Sequence, residues 1–491
     1  MNDKSFTPHG RGVRGITLPR SSLLFEGRFG RIFRALPPAE FGDNDKETLK
    51  SIHTLAKLMV GPDDKAKDGA DPEESGIPAL YTYLGQFIDH DLTFDPASSL
   101  QQQNDIDALT DYRTPRFDLD NIYGRGPDDQ PYLYHKEEGR AAPKLLLGDE
   151  LTGGTLTNPP AADLPRNPKN KRAIIGDPRN DENLIVSQLQ GLFYRFHNRF
   201  VDEHPAMHFQ EVQRQVRFHY QWMLVNDFLP TLISKDVCNA VFPHLGNGGG
   251  ASIANEPPRL RFYHAKNEAF MPPESDWGID WGRFIDIDDR PNGVMLDDDG
   301  NVSGTNPPRK PTKAERDVIE KRLQLAYRID TSVSKPLSDL PPDVADLILK
   351  SLIERNLIRG WRLRLPSGQD VARAMGILPL EVINIGKFED APSGLTDLND
   401  NAIAGLERFR DNCPLWVYIL AETFNHTTEG KFGAKSKQLG PLGGTIVAET
   451  FAGLLLYDSH SFLNLDPRWT PEISDGMRFG LKEFVSYALG M

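Results

Sequence analysis

Apolar residues recur at helical spacing in blocks separated by long polar stretches. The blocks predict helices near 48–59, 78–91, 181–200 and 209–233, then 315–326, 342–355, 367–375, 400–424, 442–456 and 478–488. The strongest runs from Asp181 through Leu184, Val186, Leu189, Leu192, Phe193 and Phe196 to about Phe200, and Pro205 separates it from the next. Residues 60–77, 92–180 and 241–315 are rich in Gly, Pro and Asp and read as loops, with Gly246–Gly250 and Asp297–Gly300 as turns. Alternating apolar strands are scarce. The chain therefore reads as mainly α with long ordered loops: an extended arm over 1–45 and one domain over 46–491. A loop as long as 92–180 within a compact domain is functional, or is organised by something other than a core.

Composition narrows the classes. With 38% hydrophobic and 26% charged residues over 491 positions the chain is globular. Its net charge of −14 is spread along the sequence with no basic stripe, which disfavours nucleic acid as a partner. No run of about 18 apolar residues exists to span a membrane. The N-terminus lacks the apolar stretch of a signal peptide, so a cytoplasmic location is the default and export by a non-standard route the alternative. Cys238 and Cys413 are too few for a disulfide framework.

Three clusters can carry chemistry. In Gly85-Gln-Phe-Ile-Asp-His-Asp91, helical spacing puts Gln86 and His90 on one face, with Asp89 and Asp91 beside the imidazole. An imidazole near an amide can take and return a proton, and an adjacent carboxylate can bind a metal or cofactor; a half-buried helix that simply ends in polar residues explains the same string. In Gly176-Asp-Pro-Arg-Asn-Asp-Glu-Asn183, Asn180 or Asp181 would cap the strongest helix and Glu182 would lie in its first turn. Arg179, three residues before Glu182, can share a ligand with it, and a guanidinium near His90 suits a peroxide or oxyanion. In Thr114-Pro-Arg-Phe-Asp-Leu-Asp120, oxygen ligands alternate on an extended loop, which with Asp91 suits Ca²⁺; exposed Asx-turns are the competing account. His197 reads as a satisfied core histidine.

Taken in this order, the clusters resemble the animal haem peroxidase superfamily, the group of myeloperoxidase, lactoperoxidase and cyclooxygenase, and most of all its bacterial members. The resemblance extends to Glu26–Arg31, Arg355–Gly360, Leu365–Gln369 and Leu439–Glu449. It implies haem b and Ca²⁺ as cofactors, and hydrogen peroxide with a small electron donor or halide as substrates. His90 would be the acid/base acting on peroxide with Gln86 its neighbour, and Arg179 would help split the O–O bond. Asp89 and Glu182 sit where mammalian enzymes attach haem through esters, while Asn183 replaces the methionine of a third link. Asp91, Thr114, Arg116 through its carbonyl, Asp118 and Asp120 match the calcium loop, and Asn356 matches the asparagine that orients the proximal imidazole.

One departure stands against these matches. In the family, the stretch equivalent to Arg261–Glu274 leads into a helix carrying Arg-Phe-Gly-His, whose histidine ligates iron. Here Glu274 runs directly into Ser275-Asp-Trp-Gly-Ile-Asp-Trp281, so the proximal segment is missing at the 274/275 junction. His264, His197 and His219 are the substitutes in principle. The resemblance thus implies a haem peroxidase, and the missing ligand implies as alternative an impaired or silent member acting as a scaffold, or a chain that has lost one stretch. A third reading, a metal-dependent phosphohydrolase using His53 with His90 and Asp91, explains neither of the other two clusters.

Overall fold

The structure is a computed structural model that describes residues 32–61, 74–94, 111–155, 160–242, 278–288, 290, 301–302, 305, 307–340, 349–380, 383, 407–425, 438–474 and 478–491. Its longer helices are α1 (Asp45–Leu58), α2 (Leu80–Leu92), α3 (Leu184–Glu203), α4 (Phe209–Met223), α5 (Lys235–Val241), α6 (Lys313–Lys321), α7 (Leu352–Arg362), α8 (Gly368–Ala374), α9 (Leu415–Asn425), α10 (Pro441–Tyr457) and α11 (Leu481–Leu489). The mainly helical reading holds. Among the described residues the strands are short: Glu74–Pro78 pairs antiparallel with Leu325–Tyr327, and Tyr134–His135 with Lys144–Leu145.

Two apolar cores organise the helices. The first is centred on α3, which is buried almost all round, as a helix through the middle of a core must be. Phe193 stacks on Phe87 of α2 at 4.5 Å between ring centres and packs on Phe484 of α11 at 4.4 Å. Arg195 and Arg199 of α3 donate to the carbonyls of Ala488 and Tyr487, satisfying the last turn of α11. The second core joins α1, α7, α8 and α9, with Phe41 against Phe409 at 5.3 Å. Ala39 and Phe41 of the expected arm are buried here, and the Ala39 amide donates to the Leu365 carbonyl.

Some predicted elements are displaced for visible reasons. The 315–326 prediction merges α6 with a strand: Leu325–Tyr327 is extended and pairs with Glu74–Pro78. Helix α7 begins at Leu352, where Ser351 caps the Glu354 amide, and the 342–348 part of that prediction lies outside the described residues. Pro414 delays α9 to Leu415. Within 60–77, read as loop, Glu74–Pro78 is extended, and its Glu74 forms a buried ion pair with Arg322. Calls on 1–31, 62–73, 243–277 and 291–300, including the 274/275 junction and His264, lie outside the described residues.

The C-terminal end of α4 widens into a π turn over Leu224–Phe228 that carries the half-buried Asp227. Asp227 accepts from the Tyr81 hydroxyl at 2.8 Å and the Leu481 amide at 2.7 Å, tying the start of α2 to the start of α11. Burial pushes its carboxyl up to about 6 from 3.8. The folded chain therefore keeps this proton to a higher pH than the unfolded chain, and ionisation lowers stability as pH rises from about 4 to about 6. Asp227→Asn has no such titration, so its stability relative to wild type should increase across that window in denaturant melts; parallel curves would refute the assignment.

Candidate active site

The C-terminal turns of α2 place two adjacent side chains in different surroundings. His90 meets the Arg179 loop, and Asp91 meets the 114–120 loop. Helical geometry separates consecutive side chains by about 100°, so one helix end serves both.

On the first side, His90 is buried and its Nδ1 lies 2.7 Å from the Asn180 Oδ1. Burial and the nearby Arg179 guanidinium lower its pKa, favouring the neutral imidazole at pH 7. Its Nε2 makes no hydrogen bond among the described residues. Arg179 donates through Nε and Nη2 to Asp177 at 3.1 and 2.8 Å, and through Nη2 to the carbonyls of His90, at 3.0 Å, and of Thr93. Its guanidinium also lies 4.8 Å from the centre of the Phe94 ring. Nη1 has no hydrogen bond among the described residues. Burial alone would raise the Asp177 carboxyl; Arg179 and Arg113 outweigh it and hold it below the usual range.

On the second side, one oxygen each from Asp91, Asp118 and Asp120 lies within 4.8 Å of the others. Asp91 is fully buried, and neither of its oxygens has a hydrogen-bond partner among the described residues. Burial, then Asp118 and Asp120, push its pKa well up; Asp120 is pushed to about 7 by burial and Asp118. A buried carboxylate without a partner is costly by several kcal/mol unless a cation or proton neutralises it. Thr114 Oγ1 donates to Asp118 Oδ1 at 2.8 Å, and Leu119 takes a left-handed φ of 56°, which turns the loop back toward α2. This all-oxygen donor set fits a hard divalent cation, calcium above all. The Arg116 amide donates to the Thr114 carbonyl at 2.8 Å, while its guanidinium lies 3.9 Å from Asp458.

The two sides are joined. Arg113 bonds Asp177 at 2.7 Å and the Gly176 carbonyl at 3.1 Å, and sits 3.4 Å from Asp120. Gly176 lies so close to the other loop that a Cβ there would come within 2.6 Å of the Asn121 carbonyl oxygen. That contact, not backbone freedom, requires glycine.

The remaining expected residues are less closely assembled. Gln86 is half-buried on the His90 face, without a hydrogen bond among the described residues. Asp89 is exposed and accepts from Thr93 Oγ1. Glu182 is at the surface, yet surrounding protein raises its pKa against the pull of Arg179 and Arg355. The α3 cap is Asn183, accepting from the Val186 amide, and not Asn180 or Asp181: Pro178–Asp181 forms a 3₁₀ turn that delays the helix. Asn356 lines a separate pocket of about 210 Å³ with Phe41, Trp361 and Trp416. His53 is on α1, paired with Glu354, so it does not join His90 and Asp91 as the phosphohydrolase reading needs. His197 is held between Tyr123 and the Pro143 carbonyl, and His219 between the Gln215 carbonyl and the Ile473 amide, which removes both as free iron ligands.

The 114–120 loop and the Arg179 loop lie in a stretch that matches a known family, whereas His90 and Asp91 lie before it. The family model described as animal haem peroxidase matches residues 105–248, which span the 114–120 loop, the Arg179 loop, α3 and α4. Over that stretch, less than a third of its length, the chain is similar to the animal haem peroxidase family. No curated protein matches it in sequence. Among solved structures, peroxidase A from Dictyostelium discoideum aligns with a TM-score of 0.49 at 14% identity, over 94% of this chain and 90% of that one. A fatty acid alpha-dioxygenase from Arabidopsis thaliana aligns with a TM-score of 0.47 at 15% identity, over 92% and 74%. The Oryza sativa fatty acid alpha-dioxygenase gives 0.47 at 14% identity, over 92% and 77%.

Within the site, sequence reasoning passes over Arg113, Asp177, Asn180 and Gln190. Asp177 lies inside the Gly-Asp-Pro-Arg motif and Asn180 reads as a cap; Arg113 and Gln190 carry no local signal, because their partners are 64 and 10 residues away. If the two loops rest on each other through Gly176, Gly176→Ala should cost about 1–3 kcal/mol in denaturant unfolding. Unchanged stability would show that the close approach is dispensable.

Proposed function

We propose that the chain is a haem-dependent peroxidase in which His90 and Arg179 act on hydrogen peroxide. The observation that carries the reading is their pairing: a neutral, buried imidazole with Nε2 open, next to a guanidinium anchored through Nε and Nη2 with Nη1 open. His90 Nε2 accepts a proton from peroxide and later returns it to the departing oxygen, while Arg179 Nη1 stabilises the charge that develops between these events. Gln86, on the same face, orients peroxide or a water. Haem, when bound, supplies the redox chemistry that passes oxidising equivalents to a small donor or halide. Asp89 and Glu182 are the candidates for ester attachment to it.

Calcium is the second proposed cofactor, held by Asp91, Thr114, Asp118, Asp120 and the Arg116 carbonyl. Its role is to neutralise the buried carboxylates and brace the end of α2 on which His90 stands. Calcium should raise the melting temperature of the metal-stripped chain, and Asp118→Asn should remove most of that rise; an equal rise in both would assign the stabilisation elsewhere.

A second reading is favoured by one specific observation. The Arg-Phe-Gly-His string is missing from the sequence, and among the described residues the buried histidines other than His90 are already tied. A silent member that keeps its calcium loop but does not hold haem follows from this. Haemin titration separates the two. The peroxidase should develop a Soret band typical of histidine ligation and oxidise a phenolic donor with peroxide, and His90→Ala or Arg179→Gln should lower that turnover roughly 10²- to 10³-fold. A folded chain without a Soret band would exclude the peroxidase reading.

A further inference from the structure

Asn180 lies between the catalytic candidate His90 and the centre of α3, in a hydrogen-bonded row with a fixed direction. The row ends at the Asn121 backbone carbonyl, which can only accept. Gln190 Nε2 faces that carbonyl at 3.4 Å and the Tyr194 hydroxyl at 3.1 Å. Its other end, Oε1, therefore faces Asn180 and accepts from Asn180 Nδ2. That leaves Asn180 Oδ1 toward His90 at 2.7 Å, and an amide oxygen can bond an imidazole nitrogen only if that nitrogen carries the proton. Reversing the row would point Gln190 Oε1 at the Asn121 carbonyl, placing two acceptors face to face. Asn180, Gln190 and Asn121 are all buried, so water does not compete for these bonds.

We propose that Asn180 is a positioning residue that holds His90 in the Nδ1–H tautomer and so presents a bare Nε2 lone pair to the substrate. Free imidazole prefers the opposite tautomer, in which Nε2 carries the proton and cannot act as a base. The role is the one a carboxylate fills behind a catalytic histidine in hydrolases, with a difference in charge: a neutral amide orients the ring without stabilising the imidazolium as strongly, so the proton is released again readily. Its catalytic meaning rests on the peroxidase reading, whereas the tautomer itself does not.

The test uses the haem-free full-length chain with ¹⁵N-labelled histidine at pH 8, where long-range ¹H–¹⁵N correlations distinguish the tautomers. His90 is assigned by the signal lost in His90→Gln. Wild type should show His90 as Nδ1–H. In Asn180→Ala the majority should convert to Nε2–H, while Asn180→Asp, which keeps an acceptor in place, should retain Nδ1–H. His197 is an internal reference for folding: its Nε2 bonds the Pro143 carbonyl and its Nδ1 meets the Tyr123 hydroxyl, so it should remain Nε2–H in every variant. If Asn180→Ala disturbs His197, Gln190→Leu, which frees the Asn180 amide to rotate, replaces it and should give mixed His90 tautomers. An Nε2–H His90 in wild type, or an Nδ1–H His90 in a folded Asn180→Ala chain, overturns the proposal. Failure of haemin to bind overturns the peroxidase reading and leaves this result standing.

Discussion

The buried carboxylate of Asp91 is the constraint on which the rest of the site depends. It sits in the last turns of α2, with no hydrogen-bond partner among the described residues and two further carboxylates nearby. Such an arrangement has two stable resolutions: protonation, toward which burial and like charge already push it, or a cation. The 114–120 loop is held against the core in its own right: Phe117 and Leu119 are fully buried, Phe117 packs on Phe451 at 4.8 Å, and Gln221 Nε2 donates to the Phe117 carbonyl.

From that loop, order passes to the arginine. Arg113 lies between Asp120 on one side and Asp177 on the other, and Asp177 in turn holds Arg179 by two nitrogens. Each link places a positive group between negative ones, and each is mostly withdrawn from solvent, where such pairs are screened least. Gly176 allows the close backbone approach that makes the chain of contacts short enough. His90 and Arg179 are thus set by two different supports, an amide row into α3 and an ionic row to the calcium-like loop, and they converge because Arg179 also donates to the His90 carbonyl.

The sequence made the helical core legible where periodicity was strong. Helices α1, α2, α3, α4, α8, α10 and α11 fall close to their predicted places, because each buries a continuous apolar stripe. It misplaced the starts of α7 and α9, where Ser351 and Pro414 impose boundaries that hydrophobicity does not mark. It also missed the strand at Leu325–Tyr327, whose partner is some 250 residues earlier. In the site, His90, Arg179 and the three aspartates were readable because their spacing is local. Asn180 was not: as an Asx residue ahead of a helix it looks like a cap, and only the folded chain shows Asn183 taking that role and Asn180 turning inward. Arg113 was unreadable for the same reason, since its meaning lies in partners far along the chain.

The hydrogen bonds that assemble His90 and Arg179 close within α2, α3 and the two loops: among the described residues the amide row ends at Asn121 and the ionic row ends at Asp120. The distal geometry would therefore persist whether or not iron is held from below, and its order alone is no measure of peroxidase competence. Asn356 illustrates the converse. In the family pattern it orients a proximal imidazole; here it lines a pocket with Phe41, Trp361 and Trp416 in the second core. Asn356 has no hydrogen bond to either row among the described residues, so only the resemblance gives it a place in the site, whereas His90 and Arg179 are tied to each other's supports within the fold.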